Sequence, residues 1–200
     1  MEVKNVGVYR GGLRILEEVD LVVRPRDCMI LRGPNGAGKS TFLKCLAGLI
    51  RPSTGSIVFQ GIYPEDEVKP TTFLGHKNGL KGAMTVQETL RFWTKVYAQP
   101  VQLIEEAISY LRLEPFKTQY ISNLSAGQKR RVALARPFIS RRPIWLLDEP
   151  TTGIDIDNIS KFERLIESHC KIGGAALIAT HEPISITGAT TINLCMDDFQ

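Results

Sequence analysis

Gly33-Pro34-Asn35-Gly36-Ala37-Gly38-Lys39-Ser40 is the stretch on which the reading of this 200-residue chain turns. It fits the pattern Gly-x-x-x-x-Gly-Lys-Ser/Thr, and the pattern carries weight only between a strand and a helix. Both neighbours are present. The short apolar run Cys28 to Leu31 reads as a strand, and residues from about Ser40 to Ala47 have helical spacing. In such a loop the glycines let successive backbone N–H groups point inward around a polyphosphate, and the helix N-terminus adds its dipole. Lys39 then reaches the β- and γ-phosphates, and the Ser40 hydroxyl can bind Mg²⁺.

Working outward, period-2 alternation and β-branched residues predict strands near Val3 to Val8 and Ile15 to Val23. Pro52-Ser53-Thr54-Gly55 is a turn handing over to another strand, Ser56 to Phe59. The middle of the chain changes character. Thr85 with Glu88 three residues on is a capping box, followed by apolar residues at Leu90, Trp93, Val96 and Tyr97. Val101 to Leu111 repeats the helical spacing. Ser125 with Gln128 makes a second capping box, opening a helix that runs toward Pro137, where its ladder is expected to kink or stop. Ile144 to Leu147 and Ala175 to Ala179 are wholly apolar runs, read as central parallel strands buried on both faces. The polar residues after them, Asp148-Glu149 and Thr180-His181, therefore emerge at carboxyl ends of strands, where open α/β sheets bind ligands.

Asp148 lies 109 residues after Lys39 and is placed to hold Mg²⁺, directly or through water. Glu149, one step further, can orient and polarise a water attacking the γ-phosphate, a task the phosphate loop cannot perform. Leu124-Ser125-Ala126-Gly127-Gln128 opens its helix with Ser125 and keeps it bare of bulk with Ala126 and Gly127. Alone this is a helix cap or a second anion site.

Composition bounds the class. The chain is long enough for one substantial core and short for two domains. With 43% hydrophobic and 23% charged residues it matches ordinary globular proteins. No apolar stretch nears the roughly 18 to 20 residues a spanning helix needs. Between Met1 and Gly12 there is no uninterrupted apolar run, so no secretory signal or transit peptide is readable. Cys28, Cys45, Cys170 and Cys195 are too dispersed for a metal site or a disulfide framework and read as buried thiols. The net charge of +4 gathers partly at Lys129, Arg130, Arg131, Arg136, Arg141 and Arg142, read as a solvated helix face near the phosphate site in preference to a nucleic-acid surface.

Taken together, these residues resemble the ATPase subunits of ABC transporters over nearly the whole chain. Gly33 to Thr41 looks like their Walker A, Leu124 to Gln128 their signature, Ile144 to Glu149 their Walker B and Thr151 to Asp155 their D-loop. The resemblance implies an α/β P-loop NTPase fold of ABC ATPase type: a central, mostly parallel sheet, an antiparallel N-terminal β subdomain and a helical subdomain. It implies one domain over residues 1–200, with 1–75 and 140–200 as nucleotide-binding core and 76–139 as the helical signature part. In that family two subunits clamp two ATP molecules head to tail, each nucleotide lying between one Walker A and the other subunit's signature. His181 sits where the family has its switch histidine, although a histidine at a strand end is otherwise more often a core residue. Tyr9, 30 residues before Lys39, sits where family members stack a ring on adenine, with an exposed edge-strand tyrosine as the alternative.

Three positions depart from the family pattern. His76, nine residues before Thr85, stands where the Q-loop glutamine is usual. Ala126 replaces a commoner glycine, and Pro137 falls within a helix the family continues. The run Gly75-His76-Lys77-Asn78-Gly79-Leu80-Lys81 and the ending His181-Glu182-Pro183-Ile184 are similar to the ATPase of the haem exporter of cytochrome c biogenesis. That resemblance implies Mg-ATP, a homodimer through the ATP sites, separately encoded transmembrane subunits, no nucleic acid, and a peripheral place on the cytoplasmic face of the inner membrane. Three other readings stand beside it: a soluble ABC ATPase acting on ribosomes or nucleic acid, the ATPase of a different ABC exporter, and a nucleotide switch that binds without hydrolysing.

Overall fold

The computed structural model describes residues 1–60, 69–154 and 156–194. Strands β1 (Glu2–Arg10) and β2 (Leu13–Val22) form an antiparallel hairpin around Gly11-Gly12. Strand β3 (Cys28–Arg32) leads through the glycine-rich loop into helix α1 (Lys39–Leu46). Strand β4 (Thr54–Val58) returns to pair antiparallel with β1, giving the order β2-β1-β4. It starts within the expected turn because Thr54 already pairs with Gly7.

The second sheet is wholly parallel. Strands β5 (Thr71–Leu74), β6 (Ile144–Asp148), β7 (Ala175–Ala179) and β8 (Thr190–Asn193) join β3 in the order β5-β6-β7-β3-β8. Every residue of β6 and β7 is buried, and successive residues alternate between two cores. Ile144, Leu146, Ala175 and Leu177 pack with Phe42, Leu43 and Leu46 of α1 and with Val6 and Leu16 of the antiparallel sheet. Trp145, Leu147, Ala176 and Ile178 pack on the other side with α4 (Ala126–Ser140) and α5 (Ile156–Lys171). A strand covered on both faces carries no polar alternation, which explains the unbroken apolar runs.

Helices α2 (Val86–Val96) and α3 (Gln102–Tyr110) and two single 3₁₀ turns complete the segment between β5 and α4. The α2 capping box closes both ways: the Glu88 N–H donates to Thr85 Oγ1 (3.2 Å), and the Thr85 N–H to Glu88 Oε2 (2.8 Å). Leu90 and Trp93 are buried and Tyr97 packs partly buried against the same core, while Val96 is exposed.

Of the two outcomes expected at Pro137, a kink or a stop, the stop does not occur. Helix α4 runs through Pro137 to Ser140. Pro137 has no N–H to give to the turn behind it, yet the last turn is held from outside. Ile139 is fully buried, the Ser140 hydroxyl donates to Pro137 O (2.8 Å), and Thr72 and Ser140 hydroxyls pair at 2.5 Å. Tertiary packing outweighs the missing bond. Helix α5 and strands β5 and β8 are elements that the sequence reading did not anticipate.

Cys28, Cys45 and Cys170 are buried free thiols as expected, while Cys195 lies outside the described residues. Among the described residues no helix is long and apolar enough to cross a membrane.

Candidate active site

The loop after β3 closes around its own lysine. Lys39 is 8% exposed, and its Nζ donates to Gly33 O (2.7 Å) and Pro34 O (2.9 Å), so the ammonium lies inside the ring of loop backbone. Gly38 caps α1 with φ +84°, and a Cβ there would stand 2.6 Å from Ile15 O, so both conformation and space demand glycine. Next to it, the Ser40 hydroxyl donates to Asp148 Oδ1 at 2.9 Å, joining the start of α1 to the end of β6. Thr41 is half-buried in the same turn, whereas Pro34, Asn35 and Gly36 are exposed at the loop's outer rim and Ala37 is buried beneath it.

The Ser40 hydroxyl and Asp148 carboxylate are hard oxygen donors converging on one point, a set that fits Mg²⁺. Among the described residues no three His, Cys, Asp or Glu side chains could hold a metal alone.

One residue beyond Asp148 the backbone turns. Glu149 has φ +48°, a left-handed conformation unusual for a side-chain-bearing residue, and its N–H still donates to Ala179 O of β7 (2.7 Å). The turn sends its carboxylate across to the end of β7. Glu149 Oε1 lies 3.0 Å from His181 Nδ1, and Glu149 Oε2 accepts from the His181 N–H (3.3 Å). The segment carrying His181 is fixed by Arg32, whose Nη1 donates to Thr180 O and Glu182 O, both at 2.8 Å. Arg32 was missed by sequence reasoning, as nothing in its spacing distinguishes it from a strand-end surface arginine.

The hydrogen bond to Glu149, together with its negative charge, raises the His181 pKa above the ordinary histidine value. Protonated His181 gains from this contact; the gain is complete below the ordinary value and is lost as pH rises through the raised one. His169 behaves oppositely: half-buried and stacked on Trp145 at 3.9 Å, it is pulled down by desolvation. An NMR titration of the histidine ring signals should therefore show His181 titrating above about 6.5 and His169 below it. In Glu149→Gln the His181 midpoint should fall back while that of His169 stays put; an unmoved His181 would mean the pair does not form in solution.

Arg130 corrects the reading of the basic cluster as a solvated face. It is 3% exposed, its guanidinium bonded to carbonyls at the end of β6 and to the loop of residues 75–78. Arg136 is half-buried and its Nη2 donates to Phe73 O, and Arg141 pairs with Glu106 at 3.0 Å. His76 is exposed on the loop that Arg130 anchors.

The second anion element stands apart. Ser125 Oγ accepts from the Gln128 N–H (3.2 Å) and Gln128 Oε1 from the Ser125 N–H (2.8 Å), closing the cap. Ser125 and Ala126 are exposed. A Cβ on Gly127 would stand 2.5 Å from Gly153 O, so this glycine is required by the close approach of the loop after β6. Among the described residues no hydrogen bond or ion pair joins Ser125, Ala126, Gly127 or Gln128 to the phosphate loop. Asp155, at the end of the expected D-loop, lies outside the described residues. Tyr9 is exposed on β1, its N–H bonded to Ser53 Oγ (3.0 Å), which leaves its ring free without deciding between the two readings.

With this geometry in hand, comparison with known proteins is direct. The family profile described as ABC transporter matches residues 16–152. A cytochrome c biogenesis ATP-binding export protein, CcmA, from Paracoccus denitrificans is 39% identical over 97% of this chain and 88% of its own length. The protein of the same name from Ruegeria pomeroyi is 42% identical over 90% of this chain and 84% of its own. Among solved structures, an ATP-binding subunit of an ABC transporter superposes with TM-score 0.81 at 27% identity, covering 90% of this chain and 78% of that one. A dimeric, post-hydrolysis ATP-binding cassette bound to ADP and Pi superposes with TM-score 0.79 at 25% identity, covering 90% and 88%. The fold, the loop-and-carboxylate site and these likenesses together make the chain a member of the ABC transporter family, one of its ATP-binding, ATP-hydrolysing subunits.

Proposed function

We propose that this chain is the ATPase of the cytochrome c biogenesis exporter, working as a homodimer that sandwiches Mg-ATP and drives separately encoded transmembrane subunits from the cytoplasmic face of the inner membrane. The exported or remodelled species is haem or a molecule handled with it. The observation carrying the catalytic part is the Glu149 and His181 pair, held at the ends of β6 and β7 beside the Ser40 and Asp148 pair. The exporter assignment is supported by relatives named for that system matching over nearly the whole chain, together with the Gly75-His76 loop.

In this reading Lys39 and the backbone N–H groups of Gly36 to Thr41 hold the β- and γ-phosphates, and Tyr9 stacks on the adenine. Ser40 and Asp148 hold Mg²⁺, which when bound neutralises charge on the phosphate oxygens. Glu149 accepts a proton from the attacking water, while His181 donates toward the γ-phosphate and steadies the Glu149 carboxylate. Ser125, Ala126, Gly127 and Gln128, which among the described residues make no hydrogen bond to their own chain's phosphate loop, serve the nucleotide on the partner subunit. ATP therefore favours the closed dimer over the open one, and that differential affinity is what can do work. The part of the chain at 76–139 passes the movement to the membrane subunits.

The test is purification of tagged Glu149→Gln protein with ATP from gently solubilised membranes. Multispanning subunits of a cytochrome c maturation system are the expected companions. A different permease would retain the ATPase mechanism and discard the haem system, whereas ribosomal or DNA-bound material would overturn the transporter reading.

A further inference from the structure

We infer that Arg130 is a positioning residue for ATP hydrolysis, holding the Glu149 turn in register with the loop of residues 75–78. This rests on the proposed role of Glu149. All five N–H groups of one guanidinium find acceptors. Nε donates to Pro150 O (3.0 Å), and Nη2 donates to Asp148 O and Glu149 O, both at 2.7 Å. Nη1 donates to Gly75 O (2.9 Å) and Asn78 Oδ1 (2.8 Å). Three consecutive carbonyls at the end of β6 and both sides of the His76 loop are thus pinned to a single rigid plane.

Burying this charge is unfavourable in itself. Desolvation pulls the Arg130 pKa down to about 10, which leaves the group charged at neutral pH. An apolar side chain of similar volume would avoid that desolvation, so packing alone does not account for a guanidinium here. What only the planar fork supplies is geometry. Glu149 holds φ +48°, and the carbonyls on both sides of that turn, Asp148 O and Glu149 O, are the two that Nη2 grips. The turn aims the carboxylate at His181, and a carboxylate misplaced by an ångström loses its hold on an attacking water. The same plane reaches the loop of residues 75–78 through Nη1, so displacement of that loop is felt at Glu149 through this one guanidinium. Arg130 itself touches no substrate; it acts through Glu149.

The test compares Arg130→Lys, Asn78→Ala and Glu149→Gln in the full chain. It measures kcat at saturating ATP, nucleotide Kd, thermal midpoint and the His181 ring signals at fixed pH. Lysine keeps the charge but cannot span five acceptors in one plane. Arg130→Lys is expected to lose kcat by about a hundredfold, with Kd nearly unchanged and the His181 signals shifted. Asn78→Ala, which removes one acceptor on the loop, should shift the same signals and lower kcat by a smaller factor.

Wild-type kcat in folded Arg130→Lys would overturn the inference, as would a loss that follows Kd or the thermal midpoint while the His181 signals stay fixed. Should Arg130→Lys fail to fold, Asn78→Ala decides alone: unchanged kcat and signals overturn it. Glu149→Gln separates the two levels. If that variant turns over normally, the proposed role of Glu149 falls; if it is inactive while folded Arg130→Lys is normal, only the role of Arg130 falls.

Discussion

Glu149→Gln is expected to reduce ATP turnover by about two to four orders of magnitude, the span of a positioned general base, while leaving ATP binding intact. The substitution is nearly isosteric. It keeps the turn after β6, including the Glu149 N–H to Ala179 O bond (2.7 Å) and the grip of Arg130 on Glu149 O (2.7 Å), since both are backbone interactions. It removes the negative charge that faces His181 Nδ1 at 3.0 Å and the oxygen that can take a proton from water. With hydrolysis blocked and binding retained, ATP should hold two subunits together, visible as a dimer in size-exclusion chromatography that disappears without nucleotide. Unchanged turnover would move the catalytic base elsewhere, and His181 would be the first group to examine.

Lys39→Ala should act at the earlier step. The lysine is nearly buried, with its ammonium bonded to Gly33 O and Pro34 O inside the loop, so its stem and charge are already committed to the place where phosphates bind. A hydrogen bond to a charged group contributes about 1.5 to 3 kcal/mol. Losing it against a polyphosphate should weaken nucleotide affinity by at least about tenfold and by about a hundredfold near the top of that range. Titration of a fluorescent ATP analogue reads this directly. Wild-type affinity in the variant would refute the assignment of the phosphate loop. The two variants separate binding from chemistry: Lys39→Ala should lose the ATP-dependent dimer that Glu149→Gln accumulates.

Much of this was legible before any coordinates. The phosphate loop is written in local rules, because a tight turn, a lysine and a helix start occupy eight consecutive residues. Both capping boxes are equally local, and both closed as written, at Thr85 with Glu88 and at Ser125 with Gln128. The unbroken apolar runs of β6 and β7 announced strands covered on both sides, which two separate cores confirm. Where local rules met tertiary packing, they lost. Pro137 should kink or stop a helix by its missing N–H, yet α4 does not stop there and runs on to Ser140, with Ile139 fully buried. Short β5 and β8 have too few residues to show a period.

What the sequence determined by itself is therefore the chemistry at each point: a polyphosphate loop, carboxylates at a strand end, a histidine 32 residues on, and a second helix N-terminus with small residues. What only the tertiary structure decided is how those points are held. Spacing along a chain cannot say that Ser40 meets Asp148 across 108 residues, that Arg32 steadies Thr180 and Glu182, or that Arg130 leaves solvent to bind the turn at Glu149. The physical reason is common to all three. A donor takes its role from the acceptor that sheet order and helix packing bring to it: a carboxylate for Ser40, and for Arg32 and Arg130 mostly backbone carbonyls, which every residue carries and no sequence pattern marks.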